Sequence, residues 1–393
     1  MKIIFTTHTY WPQKDGVQYV TQYMAEGLAK RGHQVVVFVP QTTEKRIITE
    51  EHNGVKVIRP YVIQKYSFYF GKLKAFKKSF LGECKDADCL ISCAILSPIN
   101  NFTLPLLRKI SAKKILYLHG VYDRRIYSAY RPRIKARKAL VNARWDVFMK
   151  VHGKRFNDYD LFLNIRESTK DSEFFKKAGV NRKQLMIANA TESFDDVCVN
   201  DELLKKYPFL KKPYFLNVSN FNVVKNQKFL IKAYAEFCKK TDSDVQLVMV
   251  GGTDRRIRQA YATECRKLIS KLECRDKIHI IKNLSREDTK VIIKNCYCAA
   301  MSSTREVCPI FLCEAIMCAH PFISTRVGSV NELEGGVFAD TVSEYAEQMV
   351  KLTTDKEFFN ELAAKGKAFA DANLTQKEKV KELETIIVNL TNG

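Results

Sequence analysis

The sequence predicts an α/β protein made of two similar halves, each a parallel sheet with helices on both faces, the halves facing across a cleft. Three observations predict this fold class. The 393 residues are enough to build two hydrophobic cores. Short apolar runs alternate with longer helical patterns, and strand–helix–strand alternation requires crossover connections between parallel strands. The alternation restarts after about residue 200, although no short sequence repeat links the halves.

The elements of the first half follow from local patterns. In a helix predicted at 17–31, Val20, Met24 and Leu28 recur every four residues and share one face, and Gly32 ends the helix. Residues 35–39 form a continuous apolar run, which is typical of a strand buried on both faces. The predicted strands of this half are 2–7, 34–40, 55–59, 89–93, 114–118 and 161–165.

The second half repeats the pattern. A helix is predicted at 226–239, where Phe229, Ala233 and Phe237 align. The predicted strands are 214–219, 245–250, 277–281, 298–302 and 321–325. Residues 201–213 are polar with two prolines and are interpreted as a linker. We therefore expect domains at 1–195 and 196–375, and a C-terminal helix at 376–393 that packs toward the first domain.

Composition and charge narrow the classes of function. Hydrophobic residues make up 46% and charged residues 27%, which excludes a disordered or low-complexity chain. Lys and Arg number 65 against 43 Asp and Glu, and this net charge of +22 predicts an anionic partner: nucleic acid, a membrane surface or a phosphorylated substrate. Twelve cysteines without a CxxC pair are typical of free thiols in a reducing compartment rather than a zinc site. No apolar run is long enough to span a bilayer, so we expect a cytoplasmic protein.

The most specific motif lies at 303–316, where Glu306 and Glu314 stand eight positions apart and Glu314 opens an apolar helix. The residues alone leave two interpretations open. Glu314 in a first turn is stabilised by the helix dipole and needs no ligand. Alternatively, the two carboxylates accept hydrogen bonds from a polyol while the backbone N–H groups of Ile310, Phe311 and Leu312 bind an anion.

This stretch resembles the E-x7-E motif of the retaining glycosyltransferases of family 4, which have two Rossmann-like domains in the GT-B architecture. The resemblance continues in order along the chain. It includes a glycine-containing first loop ending at Gly16, a "GH-x-V" segment at 32–35, His119 at a strand end, Asn189 at the interdomain turn, and Gly328 and Glu332 after the motif. The ordered match spans nearly the whole chain.

The resemblance implies a role for each matching residue. Glu314 would bind the ribose hydroxyls of a sugar nucleotide, Glu306 would contact the donor sugar, and Lys225 would bind the diphosphate. Asn220 stands where the family has the second diphosphate-binding residue, an Arg; Arg305, Lys228 or Arg326 could compensate. His119, beside the transferred sugar, and Glu306 are the candidate catalytic residues. Gly16, Asn220, Gly251 and the 310–312 turn complete the expected donor site.

Two segments mix basic and aromatic residues. Residues 124–155 contain eleven basic residues against Asp146 alone, and residues 64–85 repeat the theme. This pattern suits an anionic bilayer, although a solvated helix face and a nucleic-acid site are the alternatives; no recognised nucleic-acid module is present, and no nucleic-acid partner is expected. The candidate surface residues are Arg133, Lys135, Arg137, Lys138, Lys74 and Lys77.

The expected function is transfer of a hexose from a nucleoside-diphosphate sugar, UDP favoured over GDP, to a lipid-linked or glycan acceptor. By the resemblance the reaction retains anomeric configuration, uses no metal or other cofactor, and serves surface polysaccharide or glycolipid synthesis at the cytoplasmic face of the membrane. The alternatives are another GT-B enzyme of nucleotide sugars, such as a 2-epimerase, and a non-catalytic scaffold that binds membrane or nucleic acid. The sequence leaves the base, the sugar, the acceptor and the linkage open.

Overall fold

The structure is a computed structural model that describes residues 1–13, 16–65, 68–95, 97–119, 132–165, 175–176, 178–187, 190–253, 256–306, 309–328 and 330–393. Asn189 and the basic residues at 124–131 lie outside this part. The chain forms two compact units, Met1–Asn189 with Gln376–Gly393, and Ala190–Thr375. The boundary falls six residues before the one expected from the sequence.

Unit 1 is built on a sheet with the strand order β10-β9-β8-β7-β1-β2-β4-β3, in which β3 alone pairs antiparallel among the described strands. Its strands are β1 (Lys2–Thr6), β2 (Gln34–Phe38), β3 (Ile48–His52), β4 (Val55–Arg59), β7 (Cys89–Cys93), β8 (Lys113–Leu118), β9 (Leu161–Asn164) and β10 (Gln184–Met186), with β5 (Val62–Lys65) and β6 (Phe68–Gly71) forming a separate hairpin. Its helices are α1 (Gly16–Lys30), α2 (Leu73–Cys84), α3 (Pro98–Thr103) and α4 (Pro132–His152).

Unit 2 is built on a sheet with the order β13-β12-β11-β14-β15-β16, in which every described pairing is parallel. The strands are β11 (Tyr214–Val218), β12 (Gln246–Gly251), β13 (Ile278–Lys282), β14 (Cys298–Met301), β15 (Phe322–Ser324) and β16 (Gly336–Phe338). The helices are α5 (Asp201–Lys206), α6 (Gln227–Lys240), α7 (Arg256–Ile269), α8 (Arg286–Lys294), α9 (Ile310–Met317), α10 (Val342–Thr354) and α11 (Lys356–Asn373). Side chains alternate between two apolar cores, one on each face of this sheet.

The C-terminal helix α12 (Gln376–Asn392) belongs to unit 1, where it packs along α1. The helices meet closely at Gly27, since an added Cβ there would lie 2.4 Å from a methyl carbon of Val380. At the end of α1, Glu384 accepts hydrogen bonds from Arg31 and pairs with His33 at 2.6 Å. The close contact at Gly27 and the contacts of Glu384 hold α12 against α1.

The interpretation of 201–213 as a linker was wrong. The segment forms α5 and a 3₁₀ helix at Pro208–Lys211, and Leu203 and Leu210 are buried in the core of unit 2. Asn200 caps α5, because its side-chain oxygen accepts from the N–H groups of Glu202 and Leu203. Leu204, Tyr207 and Phe209 pack partly against the same core, and the apolar residues of this short segment are interrupted by lysines and prolines, so no strand or helix period is visible in the sequence.

Candidate functional site

The candidate site of unit 2 lies where the order of its strands reverses, between β11 and β14. The chain passes from β11 outward to β12 and β13 and then returns to β14 on the other side of β11. In open α/β sheets, ligands bind outside the carboxyl ends of the strands at such a switch point, because the two flanking loops diverge there. The loops concerned are 219–226 after β11 and 302–306 after β14.

Hydrogen bonds join these two loops. The backbone N–H of Thr304 donates to the carbonyl of Val224 at 2.7 Å. The Ser302 hydroxyl donates to the carbonyls of Lys225 and Asn226, at 3.1 Å each. The two loops therefore form one surface at the end of the sheet, on which their side chains come together.

Lys225, predicted to bind the donor, and Glu306, predicted as a catalytic residue that contacts the donor sugar, contact each other on this surface. The Lys225 ammonium lies 2.5 Å from Oε1 of Glu306, and the Ser303 hydroxyl donates to the same oxygen at 2.7 Å. Both side chains are partly accessible to solvent. One cation, one carboxylate and one hydroxyl thus converge, and this combination can bind a phosphate group beside sugar hydroxyls. Ser303 was not predicted as a site residue; its place at the start of the 303–316 motif, three positions before Glu306, is the signal that could have identified it.

Glu314 is the fifth residue of α9 rather than a residue of its first turn, so the dipole interpretation does not apply to it. Its side chain is almost fully buried and accepts a hydrogen bond from Arg286 at the start of α8. Burial raises the pKa of Glu314, and the Arg286 guanidinium offsets part of this rise. Glu192 lies 3.7 Å from Arg286 and pairs with Lys290 at 2.5 Å, so Glu314 stands at the inner end of a charged network.

The structure at the start of α9 differs from the predicted anion site, in which the N–H groups of residues 310–312 were all expected to bind the ligand. The N–H of Leu312 donates to the carbonyl of Pro309 at 3.1 Å, so this group already has an acceptor. The N–H groups of Ile310 and Phe311 open the helix, where backbone donors lack partners within the helix. The side chains of Phe311 and Leu312 are buried in the core of unit 2 and hold the helix in place.

Gly251, at the end of β12, is required by packing. An added Cβ would lie 2.1 Å from the carbonyl oxygen of Ser219 and 3.0 Å from the ring of Phe221. Asn220, which replaces the family's Arg, is exposed, and its carbonyl accepts from the buried amide of Gln227. This close packing fixes the loop after β11 at the edge of the site.

The three cations considered as replacements for the missing Arg have different surroundings. Lys228 pairs with Glu264 at 2.6 Å, and Arg326 pairs with Asp340 at 2.8 Å. Arg305 is half-buried next to Glu306; burial lowers the pKa of Arg305, and the Glu306 charge raises it. Of the three, Arg305 is the one whose charge interacts with Glu306.

The candidate residues of unit 1 are Gly16 and His119. Gly16 begins α1 and is exposed, and an added Cβ would meet no described atom within 4 Å. His119 directly follows β8, at the carboxyl edge of the sheet, and its ring centroid lies 4.5 Å from that of Tyr117. Packing therefore does not demand glycine at position 16, and His119 occupies the kind of strand end where ligands bind in such sheets.

The candidate basic residues lie on two helices of unit 1. Arg133, Lys135, Arg137 and Lys138 are on α4, and Lys74 and Lys77 are on α2. Phe76 and Phe80 of α2 and Phe148 and Met149 of α4 pack into one core, so both helices cover the same face of the sheet. In the part of the chain that the structure describes, no helix combines the length and the apolar composition needed to span a bilayer.

The described residues contain no cluster of three or more His, Cys, Asp or Glu side chains that could hold a metal ion. The ten described cysteines other than Cys313 are free thiols.

Comparison with known proteins identifies the class. Residues 14–163 match the family described as Glycosyltransferase Family 4, and residues 199–369 match Glycosyl transferases group 1. These two matches lie in unit 1 and unit 2 respectively and together cover most of the chain. The protein belongs to the GT-B glycosyltransferases of the family 4 type, as the sequence motifs predicted.

Similar proteins agree with this assignment. The trehalose synthase of Rubrobacter xylanophilus is 27% identical over 172 residues, which are 42% of this chain and 40% of that protein. The chain matches only 40% to 54% of the length of its curated relatives. Sucrose-phosphate synthase from Thermosynechococcus elongatus has a TM-score of 0.75 at 15% identity, covering 99% of this chain and 98% of the other. HepE from Anabaena, solved in complex with UDP and glucose, has a TM-score of 0.72 at 15% identity, covering 99% and 100%. The predicted fold class is confirmed.

Proposed function

We propose that this glycosyltransferase moves a hexose from a nucleoside-diphosphate sugar, UDP favoured over GDP, to a lipid-linked or glycan acceptor with retention of configuration. The observation that carries the proposal is the convergence of Lys225, Glu306 and Ser303 at the switch point of unit 2. A donor of this class has a diphosphate next to a polyhydroxyl sugar, which matches a cation next to a carboxylate. The complex of HepE with UDP and glucose supports UDP as the nucleotide.

In this proposal the diphosphate binds Lys225, the opening N–H groups of α9 and Arg305. A helix N-terminus and charged side chains together stabilise phosphate charge. The same groups stabilise the charge that develops on the diphosphate as the hexose leaves, the kind of contribution that is usually largest in catalysis. These cations supply the neutralisation for which other enzymes use a metal, so we expect turnover to persist in EDTA.

Glu314 would accept hydrogen bonds from the ribose hydroxyls. The ionised carboxylate is the stronger acceptor for these hydroxyls, and the Arg286 contact favours the ionised form at this buried position. Glu306 would accept from hydroxyls of the hexose, and His119 would orient the hexose for attack. Retention places the acceptor hydroxyl and the departing diphosphate on one face of the sugar, so the diphosphate itself can take the acceptor's proton.

The acceptor side of the proposal rests on the basic helices of unit 1. Four basic residues of α4 and two of α2 lie on helices that cover the same face of a sheet, which suits attachment to an anionic lipid surface. The cytoplasmic leaflet carries such a negative surface potential. We therefore propose that the enzyme works at the cytoplasmic face of a membrane, in the synthesis of a glycolipid or surface polysaccharide.

The test is a donor screen by thermal shift with UDP-, GDP- and ADP-sugars, followed by mass spectrometry of the product with lipid-extract acceptors. We expect a UDP-hexose to raise the melting temperature, and UDP to be released only together with a heavier acceptor. Conversion of the nucleotide sugar into an isomer without acceptor would instead identify an epimerase. The absence of a shift with every nucleotide sugar would identify a non-catalytic scaffold.

A further inference from the structure

Helix α4 has apolar residues on two opposite faces. On one face, Phe148 and Met149 pack against the core of unit 1, and the buried Trp145 stacks on Phe148 with ring centroids 5.4 Å apart. On the other face, Leu140, Val147 and Val151 are 67%, 62% and 64% exposed. Large apolar side chains in contact with solvent are ordinary when scattered, but a contiguous set on one element marks an interaction site.

The exposed residues form a continuous row. Ala136, Leu140, Ala143, Val147 and Val151 recur at spacings of three and four, so they lie along one side of the helix, and all five are exposed. At a rise of 1.5 Å per residue the row is about 22 Å long. We call these five residues the apolar row of α4.

Basic residues border the apolar row. Between Pro132 and His152 the helix carries a single acidic residue, Asp146, and the following basic residues besides its terminal histidine: Arg133, Lys135, Arg137, Lys138, Arg144 and Lys150. Arg137 and Arg144 follow one border of the row, while Lys135 and Lys150 follow the other, which also holds Asp146. Helix α4 as a whole is not one-sided, because its opposite face is also apolar and packs on unit 1. The strip that faces solvent, with its basic borders, suits the plane of an anionic bilayer interface.

We propose that α4 docks unit 1 on an anionic bilayer by inserting the apolar row among the lipids while its basic borders contact the headgroups. The inference deepens the proposed membrane association, because it assigns the attachment to named apolar side chains and not to charge alone. A second copy of this chain fits less well, since pairing two such rows would bring the basic borders of both helices together. Nucleic acid also fits less well, since its phosphates would contact the basic borders but not the apolar row.

The first experiment compares vesicle binding of the wild type and the variant Leu140→Ser/Val147→Ser/Val151→Ser. Vesicles contain equal parts of phosphatidylglycerol and phosphatidylcholine, and binding is measured at low and high salt. Salt screens the basic borders but not the apolar contacts. We expect the wild type to keep part of its binding at high salt and the serine variant to lose it, with a partition coefficient lower by on the order of a hundredfold. Val199→Ser is the matched control, because Val199 is 61% exposed and lies in unit 2.

The second experiment places a fluorophore in the row with Val147→Trp, beside the control Val199→Trp. We expect vesicles to shift the emission of the first variant to the blue and brominated lipids to quench it, without either effect on the control. If the vesicle-bound Val147→Trp protein kept a solvent-like emission, the row would not be inserted, and charge alone would account for the binding. If the wild type were a dimer that the serine substitutions convert to a monomer, membrane insertion would be refuted, and a second copy of this chain would be the partner of the apolar row.

UDP affinity is measured on the same samples, because it reports on unit 2 and separates the two proposals. Insertion of the row in a protein that binds no nucleotide would refute the proposed function and support this inference. Nucleotide binding by a protein whose apolar row never contacts lipid would support the proposed nucleotide-sugar activity and refute this inference.

Discussion

The ammonium group of Lys225 lies 2.5 Å from the carboxylate of Glu306, although the two residues are 81 positions apart in the chain. The pair joins the loop after β11 to the loop after β14, at the point where the strand order of the unit 2 sheet reverses. A diphosphate that binds Lys225 competes with Glu306 for the same cation. Donor binding is therefore expected to release the Glu306 carboxylate for the hydroxyls of the hexose.

The first prediction separates the two members of this pair. Glu306→Gln keeps the shape of the side chain and removes the competing charge, so UDP affinity should stay the same or rise slightly while turnover falls. Lys225→Ala should weaken UDP binding by about 1.5 to 3 kcal/mol, the usual contribution of a hydrogen bond to a charged group. Calorimetry with UDP and a turnover assay on each variant check this, with Lys228→Ala as the control. If both pair variants lost UDP affinity equally, the division of roles would be wrong.

The second prediction concerns the pH dependence of donor binding. Burial raises the pKa of Glu314, and Arg286 limits the rise. Since the ionised carboxylate binds the ribose, UDP affinity should fall as the pH drops through this raised pKa. Arg286→Gln removes the offset, so the loss of affinity should move to higher pH. Calorimetric titrations across the acid range compare the two proteins, and an unchanged profile would remove Arg286 from this role.

Glu314 should make the folded protein less stable as the pH rises, whereas a salt-bridged surface carboxylate makes it more stable. A raised pKa means that the folded chain binds the Glu314 proton more tightly than the unfolded chain does. This residue therefore makes the free energy of unfolding fall as the pH rises from the ordinary glutamate pKa to the raised one. Urea unfolding of the wild type and Glu314→Gln over that interval should show the wild type losing more stability.

The third prediction concerns His119 in unit 1. His119→Ala should lower turnover about a hundredfold, because a misplacement of the reacting centre by about 1 Å has an effect of that size. UDP affinity should barely change, since the proposed nucleotide contacts are in unit 2. The control is His52→Ala, at the end of an edge strand. Near-wild-type turnover of His119→Ala would exclude the residue from the reaction, and a parallel loss of UDP affinity would mean that it acts on donor binding.

The fourth prediction concerns the basic residues of α4. Replacing Arg133, Lys135, Arg137 and Lys138 together by Glu should abolish co-sedimentation with anionic vesicles at low salt. Binding of the wild type should weaken as salt rises, because the Debye length at physiological ionic strength is about 8 Å. Equal binding of the wild type to neutral and anionic vesicles would contradict a role for these charges.

Sequence patterns predicted the fold wherever a strand is buried on both faces. The continuous apolar run of 35–39 identifies β2, and Val245–Val250 overlaps β12. β3, whose sequence is Ile-Thr-Glu-Glu-His, was not predicted, because it is an antiparallel edge strand with little apolar character. Its structure depends on pairing with β4, which a local pattern does not reveal.

The site was predicted from the sequence as single residues but not as contacts. The motif predicts roles for Glu306 and Glu314, and the lysine before α6 is equally recognisable. The partners of these residues come from distant segments: Arg286, which contacts Glu314, precedes it by 28 positions and belongs to no recognised motif. Such pairs are set by the order of strands in the sheet, so they emerge only from the three-dimensional structure.

The central claim is that a nucleoside diphosphate binds unit 2 through Glu314. The most direct measurement is a calorimetric titration of UDP into the wild type and Glu314→Ala, with Glu264→Ala as the control and circular dichroism to verify folding. We expect one UDP per wild-type chain, and a loss of about 1.5 to 3 kcal/mol of binding free energy in Glu314→Ala alone. Equal affinity of the wild type and a correctly folded Glu314→Ala protein for UDP would contradict it.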